Sequence, residues 1–166
     1  AVVFAPEDLG LVRGDPDSRR TFLDELMVLR TPRLAGVKSD YDRMLKQRNA
    51  LLKSAAATRG SFDATTLAVW NDHLVQLGSE FLQARLALVS ELRAPVKKAY
   101  ADLAPTGGDA GLDYKASWCD GSPLDQLTSR EEIATELRHA LERVERDELQ
   151  RGVTLIGPQR DDLLLV

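Results

Sequence analysis

A mostly α-helical fold is what this 166-residue sequence predicts: an antiparallel, coiled-coil-like helical hairpin, further helices, and a small β component. Two apolar stripes carry that expectation. Leu34, Val37, Tyr41, Met44, Arg48 and Leu51 are spaced by alternating steps of three and four residues, and Leu67, Trp70, Leu74, Leu77, Phe81, Ala84 and Leu88 repeat the pattern. Only the loop Thr58-Arg59-Gly60-Ser61 and its flanks separate the stripes, so the two helices fold back on one another. The third observation is Ser129-Arg130-Glu131-Glu132, a serine followed three residues later by glutamate, which opens another helix.

Element by element, Ala1 to Ala5 reads as a short buried strand, and Pro6-Glu7-Asp8-Leu9 starts a turn or short helix. After Gly14, Asp15 is a good N-cap, Pro16 sits at its favoured first position, and a helix runs to about Arg30 with Phe22, Leu23, Leu26, Met27 and Leu29 or Arg30 on its apolar face. Pro32 breaks it. The hairpin follows, from about Arg33 to Ala57 and then from a cap at Asp63 past Pro95, with a kink there, to about Leu103. Pro105 to Gly111 is a loop, and Leu112 to Trp118 alternates as an exposed strand does. The helix opened at Ser129 runs to about Arg151, burying Ile133, Leu137, Ala140, Leu141 and Val144, and Gly152 is its natural C-cap. Val153 to Ile156 reads as a strand, Gly157 to Asp162 as a charged turn, and Leu163 to Val166 as a further strand. Both ends are apolar and strand-like, which reads as a cut through something larger.

Composition narrows the function classes. Hydrophobic residues make up 43% and charged residues 29%, and no apolar run approaches the roughly 20 residues of a membrane helix. Cys119 is the single cysteine, which excludes an internal disulfide and suits a reducing cytoplasm. Cys119, His73 and His139 are too few for a zinc site at motif spacing. The net charge of -4 argues against a uniformly basic nucleic-acid binder, but Pro32 to Gly60 carries +5 while the rest carries -9. On that basic stretch Arg33, Lys38, Arg43, Lys46 and Lys53 are candidates for tracking a DNA backbone, the alternative being a solvated face or pairing with acids. No aromatic side chain interleaves with them except Tyr41 of the apolar stripe, so base stacking has no support. Arg48 falls inside that stripe, where it either sets register or reaches out to the edge.

No phosphate-cradling G-x-x-x-x-G-K-[ST] loop, G-x-S-x-G, H-E-x-x-H or C-x-x-C is present. Glu131/Glu132 and Asp147/Glu148 read as ordinary helix-surface acids. Three polar clusters stand out. Glu7 and Asp8 either favour a helix start or present a carboxylate at a site edge. Arg160, Asp161 and Asp162 occupy a turn that needs glycine and proline but not three charges, so Arg160 either grips a phosphate or pairs with a neighbouring acid. Arg19 and Arg20 are interface candidates, or else a solvated face with Arg20 pairing to Asp24.

Several blocks together resemble the RecF family: Val3-Phe4-Ala5-Pro6-Glu7-Asp8-Leu9, Gly14-Asp15-Pro16, Ser18-Arg19-Arg20-Thr21-Phe22-Leu23-Asp24, Leu45 to Lys53 (LKQRNALLK), and Gly152 to Leu163 (GVTLIGPQRDDL). They come in the family's order and span nearly the whole chain. Gln159 departs from it, standing where the family usually has histidine. The resemblance implies an ABC-type ATPase related to the chromosome-maintenance and double-strand-break repair ATPases. It implies that residues 1–166 form one insertion domain, with 1–14 and 152–166 as junctions to an ATPase head. The phosphate loop would lie upstream, and the signature and second nucleotide motif downstream. ATP and Mg2+ are then expected in the parent protein and no cofactor in this chain, which by itself should not hydrolyse ATP. The implied partners are gapped or junction DNA, RecR, RecO and a second copy of the parent, which together direct RecA loading, in a cytoplasmic, nucleoid-associated setting. Glu7 and Asp8 fall where relatives carry a loop sensing nucleotide and metal, and Arg160, Asp161 and Asp162 where the chain re-enters the head. The competing readings are a free-standing helical scaffold binding a partner protein, and a small hydrolase using Glu7/Asp8 or Asp161/Asp162.

Overall fold

The computed structural model describes residues 14–58, 61–103, 110–119, 124, 127 and 129–166. Within them lie helices α1 (Pro16–Arg30), α2 (Leu34–Ala57), α3 (Ala64–Leu103) and α4 (Arg130–Arg151), and two strands, β1 (Leu112–Lys115) and β2 (Asp162–Leu165). The expected strand at residues 1–5 and the turn holding Glu7 and Asp8 lie outside the described residues, as do Arg59, Gly60 and most of the loop from Pro105.

Local chemistry places each helix end. Asp15 caps α1 by accepting from Ser18 N at 2.8 Å, with Pro16 in the first turn. Asp63 does the same for α3, accepting from Thr65 N and Thr66 N at 2.9 and 3.2 Å. Ser129 and Glu132 form the reciprocal capping box: Ser129 Oγ accepts from Glu132 N and Glu132 Oε2 accepts from Ser129 N, at 3.2 and 3.0 Å. Gly152 ends α4 in the left-handed region at φ +69°, where a Cβ would stand 3.1 Å from Lys53 Cα. α3 continues through Pro95 to Leu103, as the sequence suggested.

α2 and α3 run antiparallel, since Arg33 meets Glu80 while Arg48 meets Asn71. α4 lies antiparallel to α3 and parallel to α2: Arg130 bonds Gln76 O and Arg138 bonds Asp72, whereas Arg48 meets Glu148. α3 is thus flanked by three helices, and its buried face (Leu67, Leu74, Val75, Phe81, Leu82, Leu88, Val89) is wider than a single heptad seam. On α2 the buried run is Leu34, Tyr41, Met44, Arg48, Leu52 and Ala55, so the expected Leu51 is replaced by Leu52. A straight helix of 3.6 residues per turn drifts off a strict seven-residue repeat, and the end of α4 meets α2 at this level, with Gly152 against Lys53 and Ala56.

β1 and β2 pair antiparallel, Leu112 with Leu165 and Tyr114 with Leu163, burying Leu112, Tyr114 and Leu163 on one face. β1 is shorter than the expected 112–118 because Ser117 and Trp118 turn inward to Asp161. Residues 153–156 are not a strand. Thr154 N bonds Asn49 Oδ1 at 2.8 Å and Leu155 N bonds Glu148 Oε1 at 2.8 Å, so side chains take up the backbone groups that a neighbouring strand would have used. Among the described residues no helix is long and apolar enough to cross a membrane.

Candidate functional site

The polar features gather where Thr154 to Asp162 passes across the bundle. Gly157 opens the turn at φ +116°, a conformation other residues avoid, and a Cβ there would lie 2.5 Å from the Tyr41 hydroxyl. Arg160 N closes the turn on Gly157 O at 2.9 Å. Asp161 then points into the core and is wholly buried. Its Oδ1 accepts from Ser117 N and Ser117 Oγ, both at 2.7 Å, and its Oδ2 accepts from Tyr114 Oη at 2.8 Å and Trp118 Nε1 at 2.9 Å. Burial pushes this carboxyl above its ordinary range, against the pull of its donors from Ser117, Tyr114 and Trp118.

Arg85 of α3 is the second hub. Its Nε donates to Asp24 Oδ1 of α1 at 2.8 Å, and its Nη1 donates to Pro158 O at 2.7 Å and to Tyr114 Oη at 3.2 Å. The guanidinium also lies 4.7 Å from the Phe81 ring centre. Burial raises the Asp24 carboxyl, while Arg85 draws it back down. The i, i+4 spacing of Arg20 and Asp24 allows a salt bridge between them. The structure instead gives Asp24 to Arg85 and turns Arg20 toward Asp161 O at 2.6 Å and toward Asp17.

Arg19 grips Asp162 with two parallel bonds of 2.8 Å and also donates to Gly14 O at 2.6 Å. The two interface candidates Arg19 and Arg20 therefore clip α1 to the start of β2. The Arg19 bond holds the Asp162 carboxyl below its ordinary 3.8. A group depressed by folding contributes stability above its unfolded value and loses it as pH falls through the folded one. Asp162→Asn should accordingly destabilise by about 1–2 kcal/mol near neutral pH. In urea titrations the gap between wild type and variant should close as pH drops below about 4. A gap that stays constant down to pH 3 would show that the carboxylate's charge is irrelevant.

Across the bundle, Arg48 is 1% exposed, so it does not reach out to solvent. It donates to Glu148 Oε2 at 2.5 Å, Thr154 Oγ1 at 2.7 Å and Asn71 Oδ1 at 2.9–3.0 Å. Glu148, which the sequence suggested as a surface acid, is also 1% exposed. Tyr41 Oη donates to Gln159 Oε1 at 2.7 Å, and Gln159 Nε2 donates to Ile156 O at 2.8 Å, so an amide fills the position where a histidine was expected. Among the described residues no buried side-chain polar atom lacks a partner, and no group of three His, Cys, Asp or Glu stands ready for a metal.

The five basic candidates divide into two groups. Arg33 bonds Glu80 at 2.6 Å, Lys38 bonds Asp42 at 2.8 Å, and Arg43 lies 3.7 Å from Asp40. Lys46 and Lys53 are exposed and have no carboxylate partner among the described residues. Among the described residues the exposed Arg160 side chain is held only through Nε, which donates to Thr154 O at 3.2 Å. His73 and His139 are exposed, His73 edge-on to Trp70. Sequence reading missed Asp24–Arg85 and Arg48–Glu148 as pairs. The only trace of the second was a cation misplaced in an apolar stripe.

No family model matches the chain. Curated proteins do. The DNA replication and repair protein RecF of Streptomyces avermitilis is 51% identical over 99% of this chain, that of Frankia alni 50%, and that of Kineococcus radiotolerans 48%. The chain spans about 44% of the length of each. Two solved structures of the recombination mediator protein RecF in the RecFOR pathway, one as RecF-ATPrS and one as RecF-ATP, match 99% of the chain and 42% of theirs. Their TM-scores are 0.88 and 0.85 at 21% and 20% identity, which establishes the shared fold. With half its residues identical along its whole length to proteins so named, this chain belongs to the RecF family.

Proposed function

We propose that the chain is the arm domain of a RecF-type, DNA-binding ATPase that closes on gapped DNA when two copies dimerise with ATP. The observation that carries this reading is the 51% identity, over 99% of the chain, to a protein named for DNA replication and repair. The conspicuous acids, Asp24, Glu148, Asp161 and Asp162, are all committed to internal partners. ATP and Mg2+ would be held by segments other than those described here. Glu7 and Asp8 are the residues of this chain proposed to lie toward the nucleotide, whereas Asp161 and Asp162 are taken up by internal donors. RecR and RecO are the proposed protein partners, directing RecA loading in the cytoplasm.

The test uses the full-length protein in light scattering and in binding to a gapped duplex, each with and without ATP and Mg2+. Dimers that form, and hold DNA, only with nucleotide are the expected result. A protein that stays monomeric with ATP, or binds gapped DNA equally without it, overturns the clamp and leaves the helical scaffold as the better account.

A further inference from the structure

We propose that Lys46 and Lys53 of α2 and Arg160 of the 157–161 turn form one composite patch that grips the phosphodiester backbone of duplex DNA. This rests on the clamp reading and says which surface of the arm touches DNA.

The three cations are far apart in sequence but are brought together by a short chain of bonds. Asn49 Oδ1 accepts from Thr154 N at 2.8 Å and from Thr154 Oγ1 at 2.6 Å, fixing residue 154 against α2. Thr154 O in turn accepts from Arg160 Nε at 3.2 Å. Lys46 precedes Asn49 by three residues and Lys53 follows it by four, so both lie on the helix face that meets this segment. Gly152 confirms the approach from the other end, since a Cβ there would lie 3.1 Å from Lys53 Cα. With its Nε tethered, Arg160 is oriented while the two terminal nitrogens remain to donate outward.

Charge distinguishes this patch from the rest of the basic stretch. Arg33, Lys38 and Arg43 stand beside Glu80, Asp42 and Asp40, so the field there is close to cancelled. Among the described residues no carboxylate lies within ion-pair distance of Lys46, Lys53 or Arg160, and Asp42, one turn before Lys46, is already bonded to Lys38.

The choice of a polyanion over a protein follows from what the patch lacks. Protein interfaces concentrate aromatic and large apolar anchors. Among the described residues the exposed large hydrophobic ones are Leu29, Val69, Tyr100, Leu103, Leu165 and Val166, none of which lies between residues 43 and 57 or between 151 and 161. The exposed neighbours of the two lysines include Gln47, Ala50 and Ser54. The absence of an exposed aromatic there also disfavours stacking on single-stranded bases, leaving the duplex backbone.

The experiment measures binding of the full-length protein, with ATP, to a fluorescent gapped duplex across a salt series. Each phosphate contact contributes roughly 0.9 to the slope of log K against log salt, so K46Q/K53Q/R160Q should lower the slope by about 3, and R160Q alone by about 1, for each arm that touches the duplex. R33Q/K38Q/R43Q should leave it within experimental error. All six side chains are at the surface or paired there, so equal melting temperatures can be required of every variant before comparison. A wild-type slope retained by the first triple variant, or an equal fall in the second, overturns the patch while the clamp reading stands. A wild type that binds no DNA at any salt defeats both. R160Q that weakens ATP binding and leaves the DNA slope unchanged assigns Arg160 to nucleotide, which also overturns the patch.

Discussion

Asp161→Ala lowers the melting temperature by roughly 10–20 °C. The substitution leaves Tyr114 Oη, Trp118 Nε1 and Ser117 N without their acceptor, and Trp118 is 0% exposed, so water cannot replace it without opening the core. A stranded buried donor costs about 1–3 kcal/mol, and three together cost on the order of 4–6 kcal/mol. In a domain of this size each kcal/mol is worth about 2–4 °C. Asp161→Asn is expected to be nearly as harmful, because the amide puts an N–H where a donor already points. Melts followed by circular dichroism decide it. A shift under about 3 °C in both variants would mean that the carboxylate is not the hub its four bonds suggest.

The Arg48–Glu148 pair produces the second large effect. Breaking one side of a wholly buried pair leaves the other charge uncompensated, at about 3–5 kcal/mol. Arg48→Met and Glu148→Leu are each expected to fall in that range by urea unfolding. The double variant should be more stable than either single one, because it removes both charges together. Recovery should be incomplete, since Leu155 N still loses the acceptor Glu148 Oε1 and Thr154 Oγ1 loses its donor Arg48 Nη1. Additive losses in the double variant would show that the two side chains are merely neighbours.

These two hubs mark the limit of what sequence alone reveals. Helix ends were legible because each is a local matter: Asp15, Ser129 with Glu132, and Gly152 act on groups within a few residues of themselves. The hairpin was legible from its apolar period. The buried ions were not, because they pair across 61 residues for Asp24 and Arg85 and 100 for Arg48 and Glu148, and no local pattern signals a partner that distant. Arg48 gave a hint by standing in an apolar stripe, while Glu148 gave none among the acids of α4. The strand expected at 153–156 failed for the same reason. Its apolar content is real, with Ile156 buried, but Asn49 and Glu148 from two helices hold its backbone. Of the basic candidates, Lys38 and Arg43 have their acids, Asp42 and Asp40, within one turn of the same helix, whereas the partner of Arg33, Glu80, stands 47 residues away and has no local signal.

The passage from Thr154 to Asp162 has no slack. It is pinned by α2 at Asn49, by α3 at Arg85, by β1 at Tyr114 and the turn after it at Ser117, and by α1 at Arg19 and Arg20. A tug or twist delivered through β2 therefore has no soft hinge in which to dissipate over those residues. The whole bundle must swing with it, as an oar follows the hand that holds it.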